Sequence, residues 1–304
     1  MTFHEPYRRV AEALRRQVDD DLTSLGLLCR VFGRAKGIQS LRRKIESSPG
    51  KYAVGGRLVQ DLVGLRVVLY FPEDLQIIEE LLRLKYVCDE GSCTIDRPVA
   101  TVFSVTRHNL VFRLPAEFDR DIQSVGDYPV DRTFEVQIRT ILSEGWHEVE
   151  HDLRYKRPAH WVEHDDLSRG LNGVVATLET AEWSMRKIFD DLAARHLASR
   201  QWAAMLHTVL RMRVSSSLSQ PIELLLDSDE SLARDLYRIN RMSVFRSLSQ
   251  LAPRIPLSID NVVHLWNFTT LDNSELSALR PLVLSEAFSA SLPARSGRRH
   301  WSEA

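Results

Sequence analysis

Chemically active side chains alternate along one short segment of the chain. In the run TFEVQIRT, an acid, an amide and a cation stand at Glu135, Gln137 and Arg139, and the residues between them are apolar. Because successive side chains of a β-strand point to opposite faces, the three polar groups share one face. This face is either the floor of a functional site or the solvated side of an antiparallel sheet.

The helix predicted after this strand contains HEVEH, a match to the H-E-x-x-H pattern of zinc peptidases. His147 and His151 lie four residues apart and share one helix face, so they could bind zinc with Glu148 as general base. A peptidase needs a third ligand, and the sequence marks none. A polar helix face explains the same residues without a metal.

Lysine is rare here: only six of the 40 basic residues are lysines. Two of them, Lys36 and Lys44, lie close together in the chain. A lysine ammonium is a compact point charge that proteins often place against phosphate, although chance clustering is the alternative explanation. The formal net charge of −1 supplies no general basic field for nucleic acid.

Hydrophobic periodicity predicts the elements that must position these residues. The pattern predicts helices over residues 5–30, 38–46, 75–84, 141–156 and 170–196, and strands over 65–71, 107–114 and 133–140. Beyond Ser199, only helices are expected, over 201–213, 230–251 and 259–287. The fold class is therefore α+β, with a mixed sheet flanked by helices and followed by an α-helical region.

Four blocks, in order, resemble the synthetase domain of the RelA/SpoT alarmone-synthetase family. They are RAKGIQSLRRK, DLVGLR, EVQIRT and EHDLRYK, within residues 34–156. The resemblance implies a nucleotidyltransferase-like domain that transfers the β,γ-pyrophosphate of ATP to the 3′-hydroxyl of a nucleotide, usually GDP or GTP, as in (p)ppGpp synthesis. HEVEH then lies by coincidence inside the family's EH…YK helix.

The resemblance also implies roles for individual residues. Asp61 and Glu135 would bind Mg²⁺, and Glu135 with Gln137 would orient the attacking hydroxyl. The ATP-binding residues would be Arg34 and Arg66 around the adenine, and Lys36, Ser40 and Lys44 on the phosphates. His151 and Lys156, from the fourth block, are placed with the acceptor.

The acceptor motif of the family, G-Y-x-S-x-H, is altered here. The matching segment is SVTRHN, in which Val105 stands where the family has the tyrosine that stacks on the acceptor base. Val105, Arg107 and Asn109 would share a strand face and still line the site. The acceptor could thus be another nucleotide or a tRNA 3′ end, or guanosine could be bound through other contacts. A non-catalytic nucleotide-binding regulator of the same fold is the remaining alternative, although the complete donor set favours an enzyme.

The organisation expected from these patterns is a synthetase domain over residues 1–195, a helical region over 196–293 and a disordered tail over 294–304. We expect a small, synthetase-only architecture without the family's hydrolase domain. The helical region is a candidate for homo-oligomerisation, or for binding an antitoxin or regulator. The chain has three cysteines, an odd number, and no C-x-x-C motif, so a disulfide framework is not expected. With the lack of a signal sequence or membrane span, this predicts a cytoplasmic protein.

Overall fold

The computed structural model describes residues 4–53, 56–96, 106–122, 128–214, 217–251 and 255–292. The chain divides into two compact units. The first comprises Met1–Leu22 and Cys29–Ser184, and the second comprises Thr23–Leu28 and Met185–Ala304. The sequence predicted a domain boundary at residue 195. In the structure, the last boundary between the two units follows Ser184. The tail predicted over 294–304 lies outside the described residues.

The first unit is built on a five-stranded mixed sheet, which confirms the predicted α+β class. Its order is β1-β2-β5-β4-β3; β2 and β5 run parallel and the other neighbours antiparallel. The strands are β1 Cys29–Ala35, β2 Val63–Leu69, β3 Thr94–Ile95, β4 His108–Arg113 and β5 Thr133–Thr140. The helices are α1 His4–Ser24, α2 Ile38–Glu46, α3 Asp74–Lys85, α4 Asp119–Ile122, α5 Ile141–Glu150 and α6 Asp165–Ala198, which extends into the second unit.

The two faces of this sheet differ in polarity because successive side chains of a strand point to opposite faces, and β5 alternates apolar and polar residues. Leu65, Phe112, Phe134 and Val136 are at most 2% exposed and form part of the core on one face. Phe134 stacks on Phe112, with ring centroids 5.5 Å apart, and meets the Tyr86 ring edge-on at 5.2 Å. This apolar face fixes the register, so the intervening polar residues are directed to the other face.

Strand β1 was not predicted, and the helix predicted over residues 5–30 includes its first two residues, Cys29 and Arg30. Helix α1 ends at Ser24, and Gly26 follows with a φ of 78°, a left-handed conformation that glycine adopts without strain. Within β1, a Cβ on Gly33 would lie 2.9 Å from the Ala11 carbonyl oxygen, so glycine permits close approach of α1 to the strand. The prediction of one helix through residue 30 was therefore wrong.

The second unit contains only helices in its described part, as predicted. They are α7 Trp202–Leu210, α8 Gln220–Ser228, α9 Glu230–Tyr237, α10 Arg241–Gln250, α11 Ile259–Trp266, α12 Ser274–Leu279 and α13 Leu282–Ser291. Pro221 lies in the first turn of α8, where a proline needs no backbone donor. None of the helices in the described part of the chain combines the length and apolar character needed to cross a bilayer.

We expect Phe134→Ala to destabilise the protein by about 3–5 kcal/mol, because it removes a fully buried ring and leaves a cavity. The measurement is urea unfolding followed by far-UV circular dichroism. The control is Leu84→Ala, since Leu84 is 59% exposed and should change stability by less than about 0.5 kcal/mol. Equal effects of the two substitutions would contradict the packing described here.

Candidate active site

The polar face of the sheet gathers side chains from four strands. In register, Gly64 of β2 pairs with Arg34 of β1 and with Glu135 of β5. One step along the same face, Gln137 of β5 pairs with Arg66 of β2 and with Asn109 of β4. The alternation predicted for β5 therefore places Glu135 and Gln137 on a face shared with Arg34, Arg66 and Asn109.

One end of this face carries two carboxylates and two lysines, Asp61, Glu135, Lys36 and Lys44, which we call the carboxylate–lysine cluster. Asp61 lies just before β2 and forms ion pairs with both lysines; its Oδ2 is 2.8 Å from Lys44 Nζ. Lys36 follows β1 and its backbone N–H donates to the Leu62 carbonyl at 2.8 Å, which anchors it beside Asp61. Lys44 comes from α2 and Glu135 from β5, so residues on or beside four separate elements meet here.

Burial and charge move the two carboxylates in opposite directions. Burial opposes ionisation of Asp61, but the ammonium groups of Lys36 and Lys44 outweigh it and lower its pKa. Burial raises the pKa of Glu135, and the negative charge of Asp61 raises it further. Two neighbouring carboxyl groups with pKa values shifted apart can take different chemical roles.

The other end of the face carries a second ionic group, Arg66, Arg139, Glu144 and Glu148, which we call the arginine–glutamate cluster. The Arg66 guanidinium forms ion pairs with Glu144 and Glu148, and Glu144 also pairs with Arg139 at 3.1 Å. Both glutamates lie on α5. Its start is fixed by a capping box in which the Thr140 side chain accepts from the Ser143 backbone N–H.

A cavity of about 420 Å³ joins the two clusters. This volume lies within the range of small-molecule sites. Five of the predicted site residues line it, namely Arg34, Asp61, Arg66, Glu135 and Gln137. The sequence did not single out four other lining residues for this cavity: Arg30, Phe32, Glu144 and Glu148. The first two lie on the unpredicted strand β1, while the i,i+4 spacing of the glutamates was an available signal of a shared helix face.

The remaining donor-site and acceptor-site predictions differ in where the structure places them. Ser40 is exposed on α2, one turn before Lys44. Asn109 Nδ2 donates to Glu135 Oε1 at 3.0 Å, within the carboxylate–lysine cluster. Arg107 forms a two-point ion pair with Asp96, at 2.8 and 3.1 Å, and remains largely exposed. Val105 lies outside the described residues.

The structure does not bring His151 and Lys156 to the cavity lining. Both side chains contact Asp152 Oδ1, at 3.0 Å from His151 Nδ1 and 2.6 Å from Lys156 Nζ. The His151 ring also stacks on Tyr155, with centroids 5.7 Å apart. These residues follow α5 in a π-helical turn, His151–Tyr155, so the helix predicted over 141–156 changes geometry at its end.

Among the described residues, the side chains of HEVEH do not form a group that could bind a metal ion. Glu148, the base required by a zinc peptidase, is ion-paired with Arg66, and His151 contacts Asp152. Burial, with the charges of Arg139 and Arg66, lowers the pKa of His147 to about 4. In the described part of the chain, three possible metal ligands lie within 4.8 Å of one another on a different segment. They are Cys88, Glu90 and Cys93.

The part of the chain that contains this site is similar to known proteins. Residues 33–160 match the family model described as "Region found in RelA / SpoT proteins". The chain is 28% identical over 168 residues to the GTP pyrophosphokinase YjbM of Bacillus subtilis (strain 168), covering 51% of this chain and 72% of that protein. The matched family range contains the whole carboxylate–lysine cluster.

Two solved structures are similar to parts of the chain. The small alarmone synthetase 1 from Bacillus subtilis is 24% identical, with a TM-score of 0.45, covering 61% of this chain and 93% of that one. A GTP pyrophosphokinase family protein from Streptococcus pneumoniae is 20% identical, with a TM-score of 0.47, covering 63% and 95%.

The opposite pKa shifts predict opposite pH dependences of stability. The folded-state pKa of Glu135 is raised, so stability is lost as pH rises from its unfolded value, about 4.3, through the folded pKa. The folded-state pKa of Asp61 is lowered, so its stabilising contribution is present above about 3.9 and is lost as pH falls through the folded pKa.

We therefore expect Glu135→Gln to raise the thermal unfolding midpoint at pH 7 more than at pH 4. Asp61→Asn should lower the midpoint at pH 7, because it leaves Lys36 and Lys44 without their carboxylate, and should lower it less at acid pH. Circular dichroism melts at the two pH values measure both effects. Shifts of the same sign for the two variants at pH 7 would refute the charge arrangement.

Proposed function

Since residues 33–160 match the model of a region found in RelA/SpoT proteins, we propose that the protein is an ATP-dependent pyrophosphokinase. It transfers the β,γ-pyrophosphate of ATP to a 3′-hydroxyl of a nucleotide or tRNA acceptor. The observation that carries the proposal is the placement of two carboxylates and two lysines at one end of a cavity whose other end holds arginines. The relative YjbM, named a GTP pyrophosphokinase, supports the same reaction class.

ATP would lie along the cavity, with its base at the arginine end. Arg34 and Arg66 come from adjacent strands and line the same cavity, so their planar guanidinium groups can pack on an adenine ring. The arginine–glutamate cluster holds Arg66 in place before ATP binds, which lowers the ordering cost of binding. Arg34, which the resemblance assigned to the adenine, would thus enter the donor site from β1, a strand that the sequence pattern did not predict.

The phosphates would lie against Lys36 and Lys44, with Ser40 one helical turn away. In the free protein both ammonium groups are ion-paired with the single carboxylate of Asp61. A polyphosphate offers them several negative oxygens and therefore competes with the single carboxylate. The lysines then stabilise charge on the transferred pyrophosphoryl group, which is the main contribution a protein makes to phosphoryl transfer.

The same cluster fits a magnesium ion. Asp61 Oδ1 is buried and has no hydrogen-bond partner among the described residues, so one carboxylate oxygen retains its acceptor capacity. Glu135 supplies a second carboxylate close enough for the two charges to affect each other. Hard oxygen ligands of this kind suit Mg²⁺, which would be held by Asp61 and Glu135 and would neutralise phosphate charge.

Glu135 is also our candidate general base for the acceptor hydroxyl. Its raised pKa, caused first by burial, makes it a better proton acceptor than an exposed carboxylate. Asn109 and Gln137 donate to its two oxygens, at 3.0 and 3.3 Å, and fix its orientation. These three residues mark the side of the cluster at which the acceptor would enter, on β4 and β5.

We expect Asp61→Asn and Glu135→Gln each to lower kcat by at least about 1,000-fold while the far-UV circular dichroism spectrum is unchanged. The reason is the loss of a carboxylate ligand and, for Glu135, of the base, together worth several kcal/mol. Transfer is measured with labelled ATP, Mg²⁺ and a panel of GDP, GTP, adenine nucleotides and deacylated tRNA. Glu46→Gln, an exposed acid at the end of α2, is the control.

Two outcomes would decide against this function. Near-normal turnover in both variants would remove the pyrophosphokinase assignment. ATP binding without any turnover of the wild-type protein on the full panel would favour the non-catalytic regulator of the same fold.

Acceptor choice should depart from GDP and depend on Arg107. Without an aromatic residue at position 105, an acceptor base loses a stacking partner worth about 1–3 kcal/mol, or about 5- to 150-fold in affinity. Arg107 is largely exposed and can exchange Asp96 for an acceptor phosphate. We expect Arg107→Ser to lower the use of 5′-triphosphate or tRNA acceptors relative to GDP, measured as ratios of kcat/KM.

Arg113→Ser is the matched control for this prediction. Arg113 is an exposed arginine at the end of β4, the strand that Arg107 immediately precedes. It lies an even number of positions from Arg107, which predicts the same face, and it pairs in register with Thr133 rather than with Glu135 or Gln137. Efficient GDP use by the wild type, together with an unchanged acceptor ratio in Arg107→Ser, would remove the altered-acceptor proposal.

A further inference from the structure

A pair of cysteines lies on the segment between α3 and β4, away from the cavity lining. We propose that Cys88 and Cys93 are a reversible redox-modification site, which closes to an intramolecular disulfide and thereby disturbs the two carboxylates of the carboxylate–lysine cluster. The disulfide itself does not depend on the proposed function. Only its predicted effect on transfer rests on that function.

The two thiols are already adjacent. Cys88 Sγ and Cys93 Sγ are 3.4 Å apart, and both residues are partly exposed, whereas Cys29 is buried. Cys93 Sγ also accepts from the Val111 backbone N–H at 3.3 Å and donates to the Asp89 carbonyl at 3.4 Å. The segment therefore holds the sulfur atoms together without a covalent bond, and a small oxidant can reach them.

The chemistry requires a low-molecular-weight disulfide, RSSR, as oxidant. Burial and the hydrogen bond with Cys93 raise the pKa of the Cys88 thiol to about 12, so Cys88 is the poorer initial nucleophile. The Cys93 thiolate attacks RSSR, forming a mixed disulfide and releasing one RS⁻. Cys88 then loses its proton and attacks the Cys93 sulfur, releasing the second RS⁻. Two protein thiols are oxidised and one RSSR is reduced to two RSH.

The cysteine segment contacts the residues that neighbour both carboxylates. Gln60, which precedes Asp61, donates from Nε2 to Asp89 Oδ2 at 3.0 Å and to Ser92 Oγ at 2.7 Å. Val111, which donates to Cys93, pairs in register with Glu135. A covalent bond must draw the sulfurs closer than 3.4 Å, so it displaces the atoms that position Gln60 and Val111.

A metal is the competing use of this segment, because Glu90 completes a trio of possible ligands with the cysteines. Two observations favour the disulfide. Glu90 is ion-paired with Arg83, and that pair would have to break. Structural zinc sites have four protein ligands, whereas the described residues supply three here.

The test titrates the full-length protein with glutathione disulfide against reduced glutathione. Peptide mapping after alkylation should show a Cys88–Cys93 link that forms with loss of two hydrogen atoms and that dithiothreitol reverses. Cys29→Ser should still form the link, while Cys88→Ser should stop at a glutathione adduct on Cys93. A wild-type chain that keeps both thiols free, or that stops at the adduct, overturns the proposal.

Two further measurements separate coupling and metal binding from the modification itself. Oxidised wild type should transfer at least about tenfold more slowly than reduced wild type, since displacement by about 1 Å can cost about 100-fold. Gln60→Ala should lose most of that difference, and an equal rate in both redox states overturns the coupling.

Zinc bound at one per chain, and lost in Cys88→Ser and Cys93→Ser, overturns the redox assignment. If reduced wild type shows no transfer at all, the proposed function fails while the mapped link still decides the disulfide.

Discussion

The parallel pairing of β2 with β5 is the constraint on which the site depends. It sets Gly64 beside Glu135 and Arg66 beside Gln137, and it brings Asp61, just before β2, to the same end of the sheet. A shift of one residue would turn Glu135 and Gln137 into the apolar core. Phe134 and Val136 are fully buried on the opposite face, so that shift would be costly. Packing on one face of the sheet therefore fixes the positions of the polar side chains on the other face.

Ion pairs between opposite charges offset the desolvation cost of this half-buried polar face. Removing ions from water is costly unless partners compensate, and the ion pairs of the two clusters supply such partners. Asp61 lies between two lysines, and Arg66 lies between two glutamates, with Arg139 on Glu144. Such pairs can be exchanged for ligand contacts without leaving a charge alone. The free protein thus keeps its lysines and arginines ordered at the two ends of one cavity.

The donor half and the acceptor half of the site differ in how they are supported. The residues proposed for the donor lie on or beside β1, β2 and α2, and two of them, Arg34 and Arg66, line the cavity. On the acceptor side, Asn109 contacts Glu135, whereas Arg107 is held by Asp96 and remains largely exposed. The cysteine segment packs on this same side, next to β4. The proposed change in acceptor use and the proposed disulfide therefore both concern this side of the sheet.

The sequence by itself determined the elements whose periodicity is strong and local. It predicted α2 and β5 with their observed bounds, and the alternation in β5 assigned Glu135 and Gln137 to one face. The resemblance carried by the four motifs assigned Asp61, Glu135, Lys36 and Lys44 to one site, but it did not predict their ion pairs. Tertiary structure alone decided that Cys29–Ala35 is a strand, because an edge segment rich in arginine and glycine carries no strand pattern until β2 pairs with it. It also decided that Glu144 and Glu148 meet Arg66 and that His151 turns to Asp152, since contacts between distant segments depend on register and packing, which local sequence does not encode.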